Sequence, residues 1–276
     1  MVDLQTIESE KSVFRDALVA LNRARISYVL GGAFAVYFHT GTWRDTKDMD
    51  IFLLPPDVGR ALGSLRAAGF TTAIEDEHWL AKAFKNGYTI DLVFGEGNWT
   101  RPVDREWIDR SSLEHLLGEP VRIAAIEELI WSKAYVASRD RFDGSDIVHL
   151  IRASKGAIDW HHLLDRFGNH WQLLFLYINL FLFVYPSNKR YIPTWVLHKM
   201  ISNLQDQMAE PTPREKICRG TLLDRLSFLD DVEKLGYKDA REIYARERGY
   251  PAEDVIAERQ WARARIRELT EHPKEE

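Results

Sequence analysis

The chain has 276 residues, 45% of them apolar and 29% charged, a balance that builds a packed core and excludes a disordered or fibrous chain. A net charge of −5 supplies no global field for polyanions, so nucleic acid is neither demanded nor excluded. The single cysteine, Cys218, excludes an internal disulfide and a thiolate zinc cage, and suits a reducing compartment.

The first residues, MVDLQTIESEKSVFRD, carry acids where a signal peptide needs a basic stretch and an apolar run, so a cytoplasmic protein is expected. Residues 6–24 place Ile7, Phe14, Leu18 and Leu21 at helical spacing, which predicts an amphipathic helix. A short strand over 27–30 then runs into Gly31-Gly32, and AFAVYFHT resumes helical character. Asp48 to Leu54 reads as a second strand closed by Pro55 and Pro56, and a helix follows over 56–68, ended by Gly69. Two more strands are predicted over 79–84 and 88–94, with Asn86-Gly87 as the turn between them.

From Ala124 onward strand signals almost vanish. Helices are predicted over about 124–138, 143–154, 159–167, 170–184, 194–208 and 221–235, with Gly156, Pro186 and Pro211 as breakers between them. The run LLFLYINLFLFVY from Leu173 to Tyr185 is shorter than the roughly 20 residues of a membrane helix, so it reads as a buried core helix and no membrane is expected. Beyond Lys238 the density of mixed charge predicts a solvated helix or frayed tail. The shift in composition divides the chain into a catalytic α/β unit, 1–120, and a helical domain, 121–276.

The chemistry concentrates in Gly31-Gly32 and in the run from Thr42 to Ile51, TWRDTKDMDI. Side chains alternate along a strand, so Asp48 and Asp50 share one face while Met49 and Ile51 point to the core. Two carboxylates then reach one hard cation, and Asp91 in TIDLVF is placed on a neighbouring strand to complete a two-ion site. Glycines at a strand-to-helix junction let backbone N–H groups approach the β- and γ-phosphates of a nucleotide. Singly, each of these is most often an ordinary turn or a solvated strand end; their order along the chain is what carries the assignment.

This run, Gly31-Gly32-Ala33-Phe34-Ala35 followed by Gly41-Thr42-Trp43-Arg44-Asp45-Thr46-Lys47-Asp48-Met49-Asp50-Ile51, resembles the signature of minimal bacterial nucleotidyltransferases of the DNA polymerase β superfamily. Aminoglycoside nucleotidyltransferases and the toxin-type enzymes of abortive-infection systems belong to that group. The resemblance implies an α+β fold, a polymerase-β-like core of mixed sheet flanked by helices, with an all-helical C-terminal domain. It implies a nucleoside triphosphate such as ATP, magnesium or manganese held by Asp48, Asp50 and Asp91, and, for the toxin-type members, a partner or antitoxin protein. A later segment, from Glu127 through Lys133 to Asp146, resembles the toxin-type enzymes too, and implies that Lys133 and Asp146 lie beside the nucleotide. Ser145 departs from that pattern, since a second Lys is expected there.

The resulting expectation is transfer of a nucleoside monophosphate to a hydroxyl on RNA, protein or a small molecule, with pyrophosphate leaving. Gly31 and Gly32 would contact the nucleotide, with Arg44, Lys47 or Lys133 on its triphosphate, Arg being suited to bidentate contact. The alternative is a catalytically inactive nucleotide-binding regulatory or partner protein, against which three mutually repelling carboxylates speak. A metal-dependent phosphodiester hydrolase fits the Gly-Gly turn poorly. Lys82 and Lys85 suit either a phosphate or a soluble sheet edge. His161, His162 and His170, with no matching acid or thiolate evident, read as packing residues.

Overall fold

The computed structural model describes the backbone of residues 4–44 and 46–271 and the side chains of 11–44, 46–260 and 263–264. Asp45 and the side chain of Ile7 therefore lie outside the described residues. Helix α1 (Leu4–Arg23) leads into β1 (Tyr28–Leu30), α2 (Gly32–Thr40), β2 (Asp48–Leu53), a 3-10 turn and α3 (Val58–Ala67). Phe14, Leu18 and Leu21 of α1 are fully buried, as their spacing predicts, and each contributes about 1.5–3 kcal/mol of burial.

Three strands follow, β3 (Thr71–Asp76), β4 (Leu80–Lys85) and β5 (Tyr88–Val93), then α4 (Arg105–Asp109) and the hairpin β6 (Ser112–Leu116) and β7 (Glu119–Ile123). One seven-stranded mixed sheet results, in the order β3-β4-β5-β2-β1-β7-β6. The β2–β5 and β1–β7 pairs are parallel and the others antiparallel. The Asn86-Gly87 turn has both residues at positive φ, 52° and 82°, which matches the twist of the hairpin.

The expectations missed β3, β6 and β7. β3 and β6 are the two edge strands and largely solvated, so they lack the apolar alternation that marks a half-buried strand, whereas β7 alternates only at the buried Val121 and Ile123, after a proline that argues against a strand. The β6–β7 turn uses Leu117-Gly118 at φ 54° and 83°, and a leucine in that position is no turn signal. Strand β7 crosses the expected 120/121 boundary, and one apolar core extends from Val13 to Ala240 through both parts.

Helices α5 (Ile126–Ala134), α6 (Gly144–Ala153), α7 (Trp160–Phe167), α8 (Trp171–Val184) and α9 (Thr194–Ala209) follow. A 3-10 turn joins α7 to α8, so Trp160–Val184 forms a helical run of 25 residues, long and apolar enough to cross a membrane by length and composition. Its second half buries Leu174, Tyr177, Ile178 and Phe181 on one face, while Leu176 and Phe183 are exposed. The expected core helix thus buries one face only.

The helix expected over 221–235 is reduced to α10 (Leu229–Glu233). Asp224 accepts from the N–H groups of Leu226 and Ser227 and from the Ser227 hydroxyl, a local turn that competes with helix. Two short parallel strands, β8 (Ile217–Cys218) and β9 (Lys238–Asp239), flank it. After them come α11 (Ala240–Glu247) and α12 (Ala252–Glu271). The segment after Lys238, expected as a solvated helix or frayed tail, is helical and largely exposed over the described part of α12, but it is anchored by buried groups that its charge does not predict. Arg241, buried, bonds to Asp239 at 2.7 Å and Glu258 at 2.7 Å, and Ala245 and Val255 pack on Trp99. Charge pairs turned inward read in sequence like a solvated face.

Candidate active site

Strand β2 alternates as expected: Met49 and Ile51 are fully buried, and Asp48 and Asp50 take the other face. The parallel pairing with β5 sets Asp50 directly opposite Asp91, and the antiparallel pairing of β5 with β4 sets Asp91 opposite Lys82. Neighbouring strands lie about 4.8 Å apart, so two carboxylates and an ammonium stand in a row across three strands. Lys82 Nζ donates to both Asp91 oxygens, at 2.9 and 3.1 Å. The Thr46 hydroxyl bonds to Asp48 Oδ1.

Burial pushes the Asp50 carboxyl up to about 6, with Asp48 and Asp91 adding to the shift and Lys133 and Arg141 opposing it. Burial also raises Asp91, against the pull of Lys82. The three acids thus converge in space and repel one another.

Gly31 and Gly32 form the junction between β1 and α2. The Gly31 N–H donates to Asp50 O at 2.9 Å, tying the turn to the acid strand. Gly32 has φ +50°, and a Cβ there would fall 1.6 Å from Asp50 Oδ2, so glycine is required both by the backbone and by the space. The first N–H groups of α2 have no partner within the helix, which is the arrangement that receives an oxyanion.

A cavity of about 390 Å³ opens from Gly32 and Asp50 toward the helical part, reaching Lys133, Asp143, Glu96 and Leu222. Lys133 is buried, and its ammonium lies 2.8 Å from both Asp143 and Asp146. Arg141 bonds to Asp143 as well, at 3.0 and 3.1 Å. Although burial acts in the opposite direction, these two cations hold Asp143 below the usual carboxylate range. Lys133 and Asp146 are therefore brought together, but of the two only Lys133 lines the cavity with Asp50. Arg44 and Lys47 lie between α2 and β2, exposed, and neither is among the cavity-lining residues.

Asp143, Glu96 and Asn98 are cavity residues that the sequence reading did not single out. Only the Gly95-Glu96-Gly97 spacing after a strand could have drawn attention to the last two. The histidines need one correction. His162 does meet acids, with Nε2 at 2.6 Å from Glu128 Oε1 and Nδ1 at 3.7 Å from Glu106 Oε2, partners far away in sequence. The Arg166 guanidinium already bridges Asp104, Glu106 and Glu128. His161 stacks on Trp195. His170 lies between the Tyr135 and Tyr244 hydroxyls, with burial lowering its pKa to about 4.

Three carboxylates beside a glycine turn at a helix start can hold a hard divalent cation together with a phosphate. No protein-family model matches the chain, and no curated protein matches it. Solved structures do resemble it at low identity. The antibiotic-resistance factor ANT(2″)-Ia has 16% identity and a TM-score of 0.44, covering 60% of this chain and 95% of its own. The lincosamide antibiotic adenylyltransferase LnuA has 15% identity and a TM-score of 0.38, covering 50% and 94%. JHP933 from Helicobacter pylori has 15% identity and a TM-score of 0.38, covering 75% and 97%.

Proposed function

We propose that the chain is a magnesium- or manganese-dependent nucleotidyltransferase that moves a nucleoside monophosphate from a nucleoside triphosphate, such as ATP, to a hydroxyl acceptor. The observation that carries this reading is the in-register Asp50–Asp91 pair, with Asp48 on the same face of β2 and Gly32 held against the Asp50 carboxylate. The donor set fits the ion, because hard oxygen ligands suit magnesium and a cation relieves the repulsion that raises Asp50. Asp48, Asp50 and Asp91 would hold it. When bound, the metal supplies charge neutralisation at the triphosphate and lowers the pKa of the acceptor hydroxyl.

The protein's own groups do the rest. Gly31, Gly32 and the start of α2 bind the β- and γ-phosphates. Arg44, Lys47 and Lys133 contribute positive charge to the triphosphate, and Asp146 orients Lys133. Asp91 takes the acceptor's proton as the acceptor oxygen bonds to the α-phosphorus and the bond to the pyrophosphate oxygen breaks, with pyrophosphate leaving in line. The helical part, 121–276, selects the acceptor, whether on RNA, a protein or a small molecule, and a partner or antitoxin protein would bind there as well. The cytoplasm supplies the triphosphate and the ion.

One observation favours a second reading, a nucleotide-binding protein without turnover: Lys82 already neutralises Asp91. Incubation with each α-labelled nucleoside triphosphate, magnesium and cell extract separates the two. Label transferred to an acceptor, and lost in EDTA, is the expected result. Undiminished transfer in EDTA refutes the metal site, and magnesium-dependent binding with no labelled acceptor leaves the second reading in the lead.

A further inference from the structure

We propose that the turn carrying Glu96 and Asn98 is the base-reading wall of the nucleotide site, recognising the hydrogen-bonding edge of a nucleobase. This rests on the nucleotidyltransferase reading, which sets the phosphates at Gly32 and Asp50. Val93, Val136, Trp79, Tyr135 and Leu222 line the same cavity as Gly32 and Asp50 and give it apolar wall, beside charged groups such as Lys133 and Arg141. Glu96, Gly97 and Asn98 line this cavity too.

One polar atom on each of the Glu96 and Asn98 side chains lacks a partner. Asn98 is 7% exposed, and its Oδ1 accepts from the Thr100 N–H at 3.0 Å and the Thr100 hydroxyl at 2.7 Å. Those two bonds fix the amide in one orientation. Nδ2 is left buried without an acceptor, and Glu96 Oε1 is left buried without a donor. Burial accordingly pushes the Glu96 carboxyl up to about 8. Orphaned buried polar groups are rare and costly, and a ligand that completes them accounts for their retention.

The turn is also built to hold still. The Trp99 N–H donates to Glu96 O at 2.9 Å, and Trp99 is held at φ +68°, an outlier for a bulky side chain. The Trp99 ring packs 4.2 Å from His78 and 5.6 Å from Tyr250, centroid to centroid. A Cβ at Gly95 would fall 2.6 Å from the His78 carbonyl oxygen, and one at Gly97 would fall 3.1 Å from the Trp79 ring. A donor and an acceptor two residues apart on a rigid turn, in a cavity that also offers Trp79, Val93, Val136 and Leu222 as apolar wall, match a flat ligand with apolar faces and a polar edge. A nucleobase presents an N–H beside a ring nitrogen or carbonyl oxygen on such an edge.

The test measures magnesium-dependent affinity of the full chain for the four α,β-methylene nucleoside triphosphates and, as a ligand without a base, for tripolyphosphate. Glu96→Met keeps the volume and removes the carboxyl, Asn98→Asp keeps Oδ1 and removes the donor, and Glu96→Gln keeps an acceptor and a donor. Glu96→Met and Asn98→Asp, shown folded by their melting curves, should bind the nucleotide analogues about 10- to 100-fold more weakly, with tripolyphosphate unaffected and Glu96→Gln close to the parent. Parental nucleotide affinity in both variants overturns the inference, as does a parent that binds tripolyphosphate as tightly as every nucleotide. Variants that bind nucleotide normally but lose label transfer assign the pocket to the acceptor, overturning the inference while the proposed function stands. A parent that binds neither ligand removes the proposed function and the inference together.

Discussion

Lys133 is the residue whose replacement most directly separates architecture from nucleotide contact. Its side chain is 6% exposed, and it is paired at 2.8 Å with Asp143, 3% exposed, and with Asp146, 14% exposed. Lys133→Met leaves both carboxylates in place. Asp143 keeps its two bonds from Arg141, whereas Asp146 Oδ2 has no hydrogen-bond partner to take over. Breaking a buried pair costs about 3–5 kcal/mol when one charge is stranded, and the surviving Arg141 bonds put this variant near the lower end, at about 3 kcal/mol. Adding Asp146→Asn removes the stranded charge and should recover about half of the loss. Urea unfolding with an unchanged m-value measures both. A loss below about 1 kcal/mol would refute the claim that Lys133 holds these acids together. Nucleotide affinity that stays low in the restabilised double variant would show that Lys133 also contacts the ligand.

The Gly32 turn gives a steric prediction: Gly32→Val sets a side chain into the Asp50 carboxylate at φ +50°. Magnesium-dependent nucleotide binding should be lost, and a folded variant with parental affinity in calorimetry would return the turn to an ordinary junction. Asp91→Asn should still bind the triphosphate with magnesium yet lose single-turnover label transfer by orders of magnitude, whereas Asp50→Asn should lose both. Transfer at the parental rate in Asp91→Asn would make Asp91 a structural strand residue. The Glu96 carboxyl, raised from 4.5 to about 8, gives a pH prediction. The native state keeps a proton that the unfolded chain releases, so stability is full below about pH 4.5 and falls as pH rises to about 8, by on the order of 5 kcal/mol. Glu96→Gln should flatten that decline in thermal melts; an unchanged slope would mean that the carboxyl is hydrated.

Much of the candidate site's geometry is legible in the sequence. Asp48 and Asp50 could be assigned to one face because the period of a strand is two and Met49 and Ile51 needed the core. The turn at Gly31-Gly32 and the Asn86-Gly87 hairpin were readable because both depend on local backbone geometry. What local pattern could not supply was register. That Asp91 stands opposite Asp50, and that Lys82 claims Asp91 from the other side, follows only from how β2, β5 and β4 pair.

The same limit explains the errors. Lys133 and Asp146 were picked out along the chain, but their mutual ion pair, and the Asp143 that shares it, arise where α5 meets α6. Edge strands β3 and β6 were invisible because solvation removes the apolar alternation that would reveal them, and β7 because its alternation is confined to Val121 and Ile123 after a proline. The charged segment after Lys238 read as a solvated helix or frayed tail, without its anchor, because composition does not record that Arg241, Asp239 and Glu258 face each other inside the protein. Glu96 and Asn98 carry no signal of their own: a carboxylate and an amide become unusual only once tertiary packing buries them without partners. Sequence alone determined which residues could carry the chemistry, through local periodicity and backbone freedom. Tertiary structure decided which of them meet, which are already neutralised and which remain unpaired, because burial and charge pairing depend on contacts between segments distant along the chain.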